Sequence, residues 1–168
     1  MFPTLDYRRV RGSRTRRRGT HPESDRACTS VESERQPPFG SLLVDASGRV
    51  VLEAENTALT EDLTAHAEFN VVRAACRQFD FATLEGATLY SATEPCAMCS
   101  GAIYWSGIGR VVYALGADTM MTFVNDVSGS GTLALPCREI FARGGRSVEV
   151  SGPHLVAQAS AVHEGYWN

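Results

Sequence analysis

Lysine is absent from this 168-residue chain: all sixteen basic residues other than histidine are arginine. That usage points to a GC-rich gene. Long apolar runs are absent too. No stretch of about 18 residues is apolar enough to cross a membrane as a helix. The arginine-rich start, with Arg8-Arg9 and Arg16-Arg17-Arg18, is not followed by an apolar segment. Neither a secretory leader nor twin-arginine export is therefore expected. No internal repeat occurs. Cysteine is scarce and odd in number: Cys28, Cys76, Cys96, Cys99 and Cys137. Two of the five form a CxxC, which argues for a reducing, cytoplasmic compartment and metal binding over a disulfide framework.

The hydrophobic share of 43% suits one globular domain with a real core. The net charge of −3 conceals a division, because residues 1–36 carry +4 and residues 37–168 carry −7. An acidic body repels phosphate backbones, so nucleic acid is not expected as the main partner.

Residues 1–36 mix Arg, Ser, Thr, Pro and Gly without helical or strand periodicity, and are read as an atypical, disordered tail. The texture changes at Pro37-Pro38-Phe39-Gly40, and residues 37–168 are read as the folded domain. Ser41 to Asp45, a turn at Ala46-Ser47-Gly48 and an alternating Val50 to Glu55 predict a hairpin. Thr64 is placed as the N-cap of a helix with Phe69, Val72, Cys76 and Phe79 on one apolar face. Gly86 to Ala92 predicts a strand. Pro95 opens a helix that Gly107 and Gly109 end. Arg110 to Leu115 predicts another strand, Pro136 to Ala142 a short helix, Ser147 to Val150 a last strand and Pro153 to Tyr166 a last helix. Residues 116–135 fit no pattern. This order implies a sheet covered by helices on both faces, with its last two strands parallel.

Two short stretches carry the chemistry. Thr64-Ala65-His66-Ala67-Glu68 supplies one histidine and a carboxylate two residues on. Glu94-Pro95-Cys96-Ala97-Met98-Cys99 supplies two cysteines one helical turn apart. One His and two Cys are a three-ligand set for a zinc that keeps its fourth position open to water. His66 and Cys96 fall in the first turns of their helices, whose positive ends favour thiolate. Glu68 is placed to move protons rather than hold metal. A redox CxxC needs neither His66 nor Glu68. A structural zinc needs a fourth ligand, and Cys76, the one nearby candidate, is assigned to the core. The joint pattern H-x-E, with 27 residues between Glu68 and Cys96, then P-C-x-x-C is the zinc-deaminase signature.

Residues 37–168 resemble the cytidine/deoxycytidylate deaminase superfamily, nearest in texture to its nucleoside/guanine deaminase branch. Pro38-Phe39-Gly40, Asn56, the His66 and Cys96 motifs and Gly101-Ala102-Ile103-Tyr104-Trp105 carry the resemblance. It implies a three-layer α/β/α fold with a mixed five-stranded sheet, a Zn2+ cofactor on His66, Cys96 and Cys99, and Glu68 as catalytic proton shuttle. It further implies that Asn56 and the backbone of Ala67 bind a substrate ring. Tyr166 and Trp167 would close over the pocket or finish the core, and Phe123 is a candidate pocket wall. Tyr104 and Trp105 are assigned to core or dimer interface, and His154 to the surface.

The implied activity is zinc-dependent hydrolytic deamination of a free nucleobase or nucleoside, guanine-like first and cytosine-type second. A homodimer is the implied assembly. tRNA adenosine-to-inosine deamination is the alternative, weakened because no arginine follows Arg146. The family pattern also begins with an amphipathic helix, and residues 1–36 have none. A changed start site or reading frame near residue 36 is one expectation; a basic tail that binds an acidic partner is another. A catalytically dead deaminase-like binding protein is the third functional alternative.

Overall fold

The computed structural model describes residues 36–124 and 133–167; the readings of a tail over 1–36 and of a missing or replaced first helix fall almost wholly outside the described residues. β1 (Gly40–Val44) and β2 (Val50–Glu55) form the expected antiparallel hairpin, with Gly40 opposite Glu55. Its turn is closed by Asp45, whose carboxylate accepts from the Ser47 and Arg49 N–H groups. β3 (Thr88–Thr93) lies antiparallel to β1, and β4 (Arg110–Leu115) and β5 (Glu149–Ser151) add in parallel. The sheet order is β2-β1-β3-β4-β5.

Among the described residues six helices connect or flank these strands: α1 (Ala67–Gln78), α2 (Phe81–Glu85), α3 (Ala97–Ser106), α4 (Ala117–Met120), α5 (Cys137–Ala142) and α6 (Val156–Ala161). Alternation along β4 assigns the layers. Val111 and Tyr113 join a core with Val71, Val72, Ile103, Cys137 and Phe141 from α1, α3 and α5. Val112 faces the other way with Leu42, Val44, Tyr90 and Ala92. Ala114, of the same parity as Val112, meets Ala159 of α6. Helices therefore lie on both faces, because adjacent strand residues point to opposite sides.

Several local expectations need correction. The helix predicted from Thr64 starts at Ala67, and its cap is His66. Thr64 instead bonds the Asp62 carboxylate through its N–H and its hydroxyl, which holds it in a turn. The buried face of α1 is Ala67, Glu68, Val71, Val72 and Ala75, so Cys76 is exposed rather than core. One residue of phase error moved it, since each position turns the helix by about 100°. α2 was not foreseen; the Asp80 carboxylate caps it through the Thr83 N–H. The last helix spans only Val156–Ala161, and residues through Tyr166 continue in turns.

Gly107 ends α3 as expected, at a positive φ of 94° that favours glycine. Gly109 is needed for a close approach: a Cβ there would sit 2.0 Å from the Glu85 carbonyl oxygen. Tyr104 is half-buried, its hydroxyl accepting from the Gly145 N–H at 2.7 Å. Its neighbour Trp105 is 82% exposed. His154 is on the surface, as predicted. Among the described residues no helix is long and apolar enough to cross a membrane.

Candidate metal centre and substrate pocket

His66 and Cys96 occupy equivalent positions. Each is the N-cap of its helix, extended in backbone, and neither side chain makes a capping hydrogen bond. A ligand residue that left its cap unused keeps its side chain free to turn toward the other. The His66 Nδ1 lies 3.6 Å from Cys96 Sγ and 3.7 Å from Cys99 Sγ. All three ligand atoms fall within 4.8 Å of one another. Tetrahedral zinc with bonds of about 2.0–2.1 Å to nitrogen and 2.3 Å to sulfur separates N from S by about 3.6 Å. The donor set and the two N–S spacings therefore fit zinc.

Two helix N-termini converge on the triad, and their free N–H groups favour negative charge there. A hydrogen bond from the Cys99 thiol, with help from His66, brings the Cys96 thiol down to about 4. Cys99 is pushed up by that same Cys96 thiolate and by burial. The Cys96 thiolate also raises His66. The triad thus holds one ready thiolate, and taking up a divalent cation displaces the Cys99 proton.

Glu68 sits on α1 just past His66 and is 6% exposed. Burial raises its pKa, while the Ser91 hydroxyl, donating to Oε1, works against that rise. A carboxyl so balanced can both take and return a proton. Asn56 ends β2 and is buried. Its Oδ1 accepts the Ala58 N–H at 3.2 Å and its own N–H reaches the Phe39 carbonyl at 3.0 Å. The Nδ2 donor makes no hydrogen bond within the described residues. Ala67 is the first residue of α1. Its N–H has no intrahelical acceptor.

The predicted aromatic residues gather in one cluster. Phe123 and Trp167 pack with Phe39 against Ala114, Leu115, Met120 and Ala159. Tyr166 meets Trp167 edge-on at 4.7 Å.

Four polar residues had no role of their own in the sequence reading, although Glu94 and His163 lay within stretches it singled out. Ser91 reaches Glu68 from β3. The Asn70 Nδ2 donates to the Glu55 and Ala65 carbonyls at 3.0 and 3.2 Å, and lies 3.0 Å from Thr57 Oγ1. It ties the end of β2, next to Asn56, to the residue preceding His66. Glu94 accepts from the Ala117 N–H at 3.2 Å and the Cys137 N–H at 3.0 Å. It pins the first residues of α4 and α5 to the loop that delivers Cys96. His163, fully buried among aromatic rings, is the fourth. No periodicity marks any of the four; an alternating polar residue inside an apolar strand, Ser91 between Tyr90 and Ala92, was the one visible signal.

Residues 20–115 match the profile of the cytidine and deoxycytidylate deaminase zinc-binding region. The chain belongs to this family. The match takes in the His66 and Cys96 motifs and the last part of the arginine-rich stretch. A protein named "Probable cytosine deaminase" from Schizosaccharomyces pombe is 34% identical over 87% of this chain and 89% of its own length. The guanine deaminase of Bacillus subtilis is 40% identical over 52% of this chain, which spans 56% of that protein. The fold is that of a guanine deaminase from Nitrosomonas europaea, with a TM-score of 0.62 at 24% identity over 78% of this chain and 73% of that one. Zinc is the family's metal, and His66, Cys96 and Cys99 are the described group able to hold it.

Proposed function

We propose that the chain hydrolyses the exocyclic amine of a free nucleobase or nucleoside, guanine-type first and cytosine-type second, releasing ammonia. The observation that carries this reading is the buried Glu68 carboxyl two residues past the cap at which His66 meets Cys96 and Cys99.

In this reading His66 Nδ1, Cys96 Sγ and Cys99 Sγ hold the zinc. Bound there, zinc supplies Lewis acidity toward a water at its open fourth position. Glu68 takes one proton from the attacking water and passes it to a ring nitrogen, then takes the second from the hydroxyl so formed on the ring carbon and passes it to the leaving amine, so that base and water become oxo-base and ammonia. The Ser91 hydroxyl keeps the Glu68 carboxylate turned toward the reacting atoms. The Asn56 Nδ2 and the Ala67 N–H hold the ring edge, and Phe123, Tyr166 and Trp167 cover its face.

Small substrates are favoured over tRNA by charge. Residues 37–168 carry −7, and no arginine follows Arg146. Binding of tRNA falls steeply with salt, whereas turnover of a neutral base does not. A homodimer in the cytoplasm completes the reading; the exposed Trp105 on α3, a helix with no charged residue, supports a partner face there. Light scattering tests the assembly.

The deciding experiment measures zinc content and ammonia release from guanine, cytosine, adenine and their nucleosides. Stoichiometric zinc with ammonia from an oxo-amino base is expected. Stoichiometric zinc with no ammonia from any of them sinks the enzyme reading in favour of a binding protein.

A further inference from the structure

His163 has 1% of its surface exposed and no part in the scheme above. Its ring lies in an aromatic box, with centroids 5.4 Å from Phe39, 5.8 Å from Phe123 and 6.1 Å from Trp167. The Trp167 indole N–H donates to His163 Nδ1 at 3.4 Å. An indole nitrogen only donates, so Nδ1 accepts and the ring proton sits on Nε2. Desolvation keeps the ring below its ordinary pKa and therefore neutral. Yet Nε2 is buried with no hydrogen-bond partner among the described residues. Native proteins seldom retain such a donor, and a binding role is one of the few reasons to do so.

The walls of the box connect to the candidate site. The Phe39 carbonyl accepts the Asn56 N–H. Phe123 follows α4, whose first N–H is held by Glu94, two residues before Cys96. His163 and Trp167 follow α6, which packs on the same end of β4. The box therefore stands at the C-terminal end of β4, beside the point where β3 runs into the Cys96 loop.

We propose that His163 selects the substrate: its Nε2–H donates to a ring carbonyl of an oxo-amino nucleobase whose flat faces meet Phe39, Phe123 and Trp167. The base enters on the side of Trp167, a half-exposed wall that returns over it and again holds Nδ1. The box contains no Arg among its described residues, so the ligand is an uncharged base or nucleoside rather than a nucleotide. The inference rests on the base-deaminase reading and adds the contact that would separate oxo-bases from their analogues.

The test uses two variants of the zinc-loaded protein. His163→Phe keeps an aromatic ring of similar size and removes the donor, whereas His163→Gln keeps an N–H near the Nε2 position. Calorimetric affinities are measured in a Glu68→Gln background that leaves the base unconverted. The probes are guanine against 2-aminopurine and cytosine against 4-aminopyrimidine, each pair differing by one carbonyl. His163→Phe should weaken the oxo-base by roughly 10- to 100-fold, leave the analogue unchanged and leave the unliganded melting temperature no lower. His163→Gln should restore much of the loss.

Unchanged oxo-base affinity in His163→Phe, or equal loss for both members of a pair, overturns the proposal. Ammonia release by the wild type with either of those results rejects the His163 contact alone. Carbonyl-selective binding through His163 without ammonia from the wild type rejects the deaminase reading and retains the contact.

Discussion

The Ser91 hydroxyl on β3 donates to the Glu68 carboxylate on α1, and both groups are buried. The two residues are 23 positions apart in the chain and belong to different layers of the fold. The contact gives a desolvated carboxyl one fixed partner, which sets its orientation beside His66. Burial raises the pKa of Glu68, and the Ser91 hydrogen bond is the largest influence working against that rise.

Glu68→Gln keeps the volume of the side chain and an acceptor for Ser91. We expect full zinc content, by metal analysis, and a loss of ammonia release of roughly 10²- to 10⁴-fold. Near-wild-type turnover would reject Glu68 as the proton carrier.

Cys99→Ala removes a buried ligand from the triad. Zinc and thermal stability should fall together, because metal binding and folding are coupled in such sites. A chelator should lower the melting temperature of the wild type and leave that of Cys99→Ala unmoved. An equal chelator effect on both would place the metal elsewhere.

Asn70→Ala strips the donor that ties the end of β2 to the residue before His66. A cost of about 1–3 kcal/mol in denaturant unfolding is expected for these half-buried bonds, together with a lower kcat/KM and unchanged zinc content. Asn70→Asp should be worse, since it turns an acceptor toward two carbonyls. Unaltered kinetics in a destabilised Asn70→Ala would limit Asn70 to the scaffold.

His163 gives a pH dependence of definite sign. Its folded pKa lies below the ordinary 6.5 because burial excludes the cation. Its contribution is present above pH 6.5 and is lost as pH falls, since the unfolded chain then binds the proton more readily. His163→Phe should gain melting temperature relative to the wild type on going from pH 7.5 to pH 5.5. A difference that stays constant over that range would mean that His163 protonates freely in the fold.

Much of this fold was legible because its signals are local. The hairpin at 41–55 is marked by alternation around Ala46-Ser47-Gly48, and α3 by Pro95 at one end and Gly107 at the other. The β3–α3–β4 unit follows from the apolar runs on either side. Phase and ends were less legible. Cys76 was assigned to the core because Phe69 and Phe79 suggested the wrong face of α1, whereas Val71 and Ala75 are the residues that pack. The final helix was drawn through Tyr166 because no breaker stands between Pro153 and Gly165, yet packing of Ala159 on Ala114 holds only Val156–Ala161 as helix.

The sequence by itself determined the chemistry of the site. His66, Glu68, Cys96 and Cys99 are recognisable because their spacings reflect one helical turn and the start of a helix, which are short-range geometries. The tertiary structure decided what those groups touch. It brings Cys96 to 3.6 Å from His66 across 30 residues, sets Ser91 under Glu68, aims Glu94 at two helix ends and shuts the Nε2 of His163 in an aromatic box. Such contacts join layers of the sheet and depend on which strand lies beside which helix. No period in the chain encodes them, and so they appear only once the sheet is assembled.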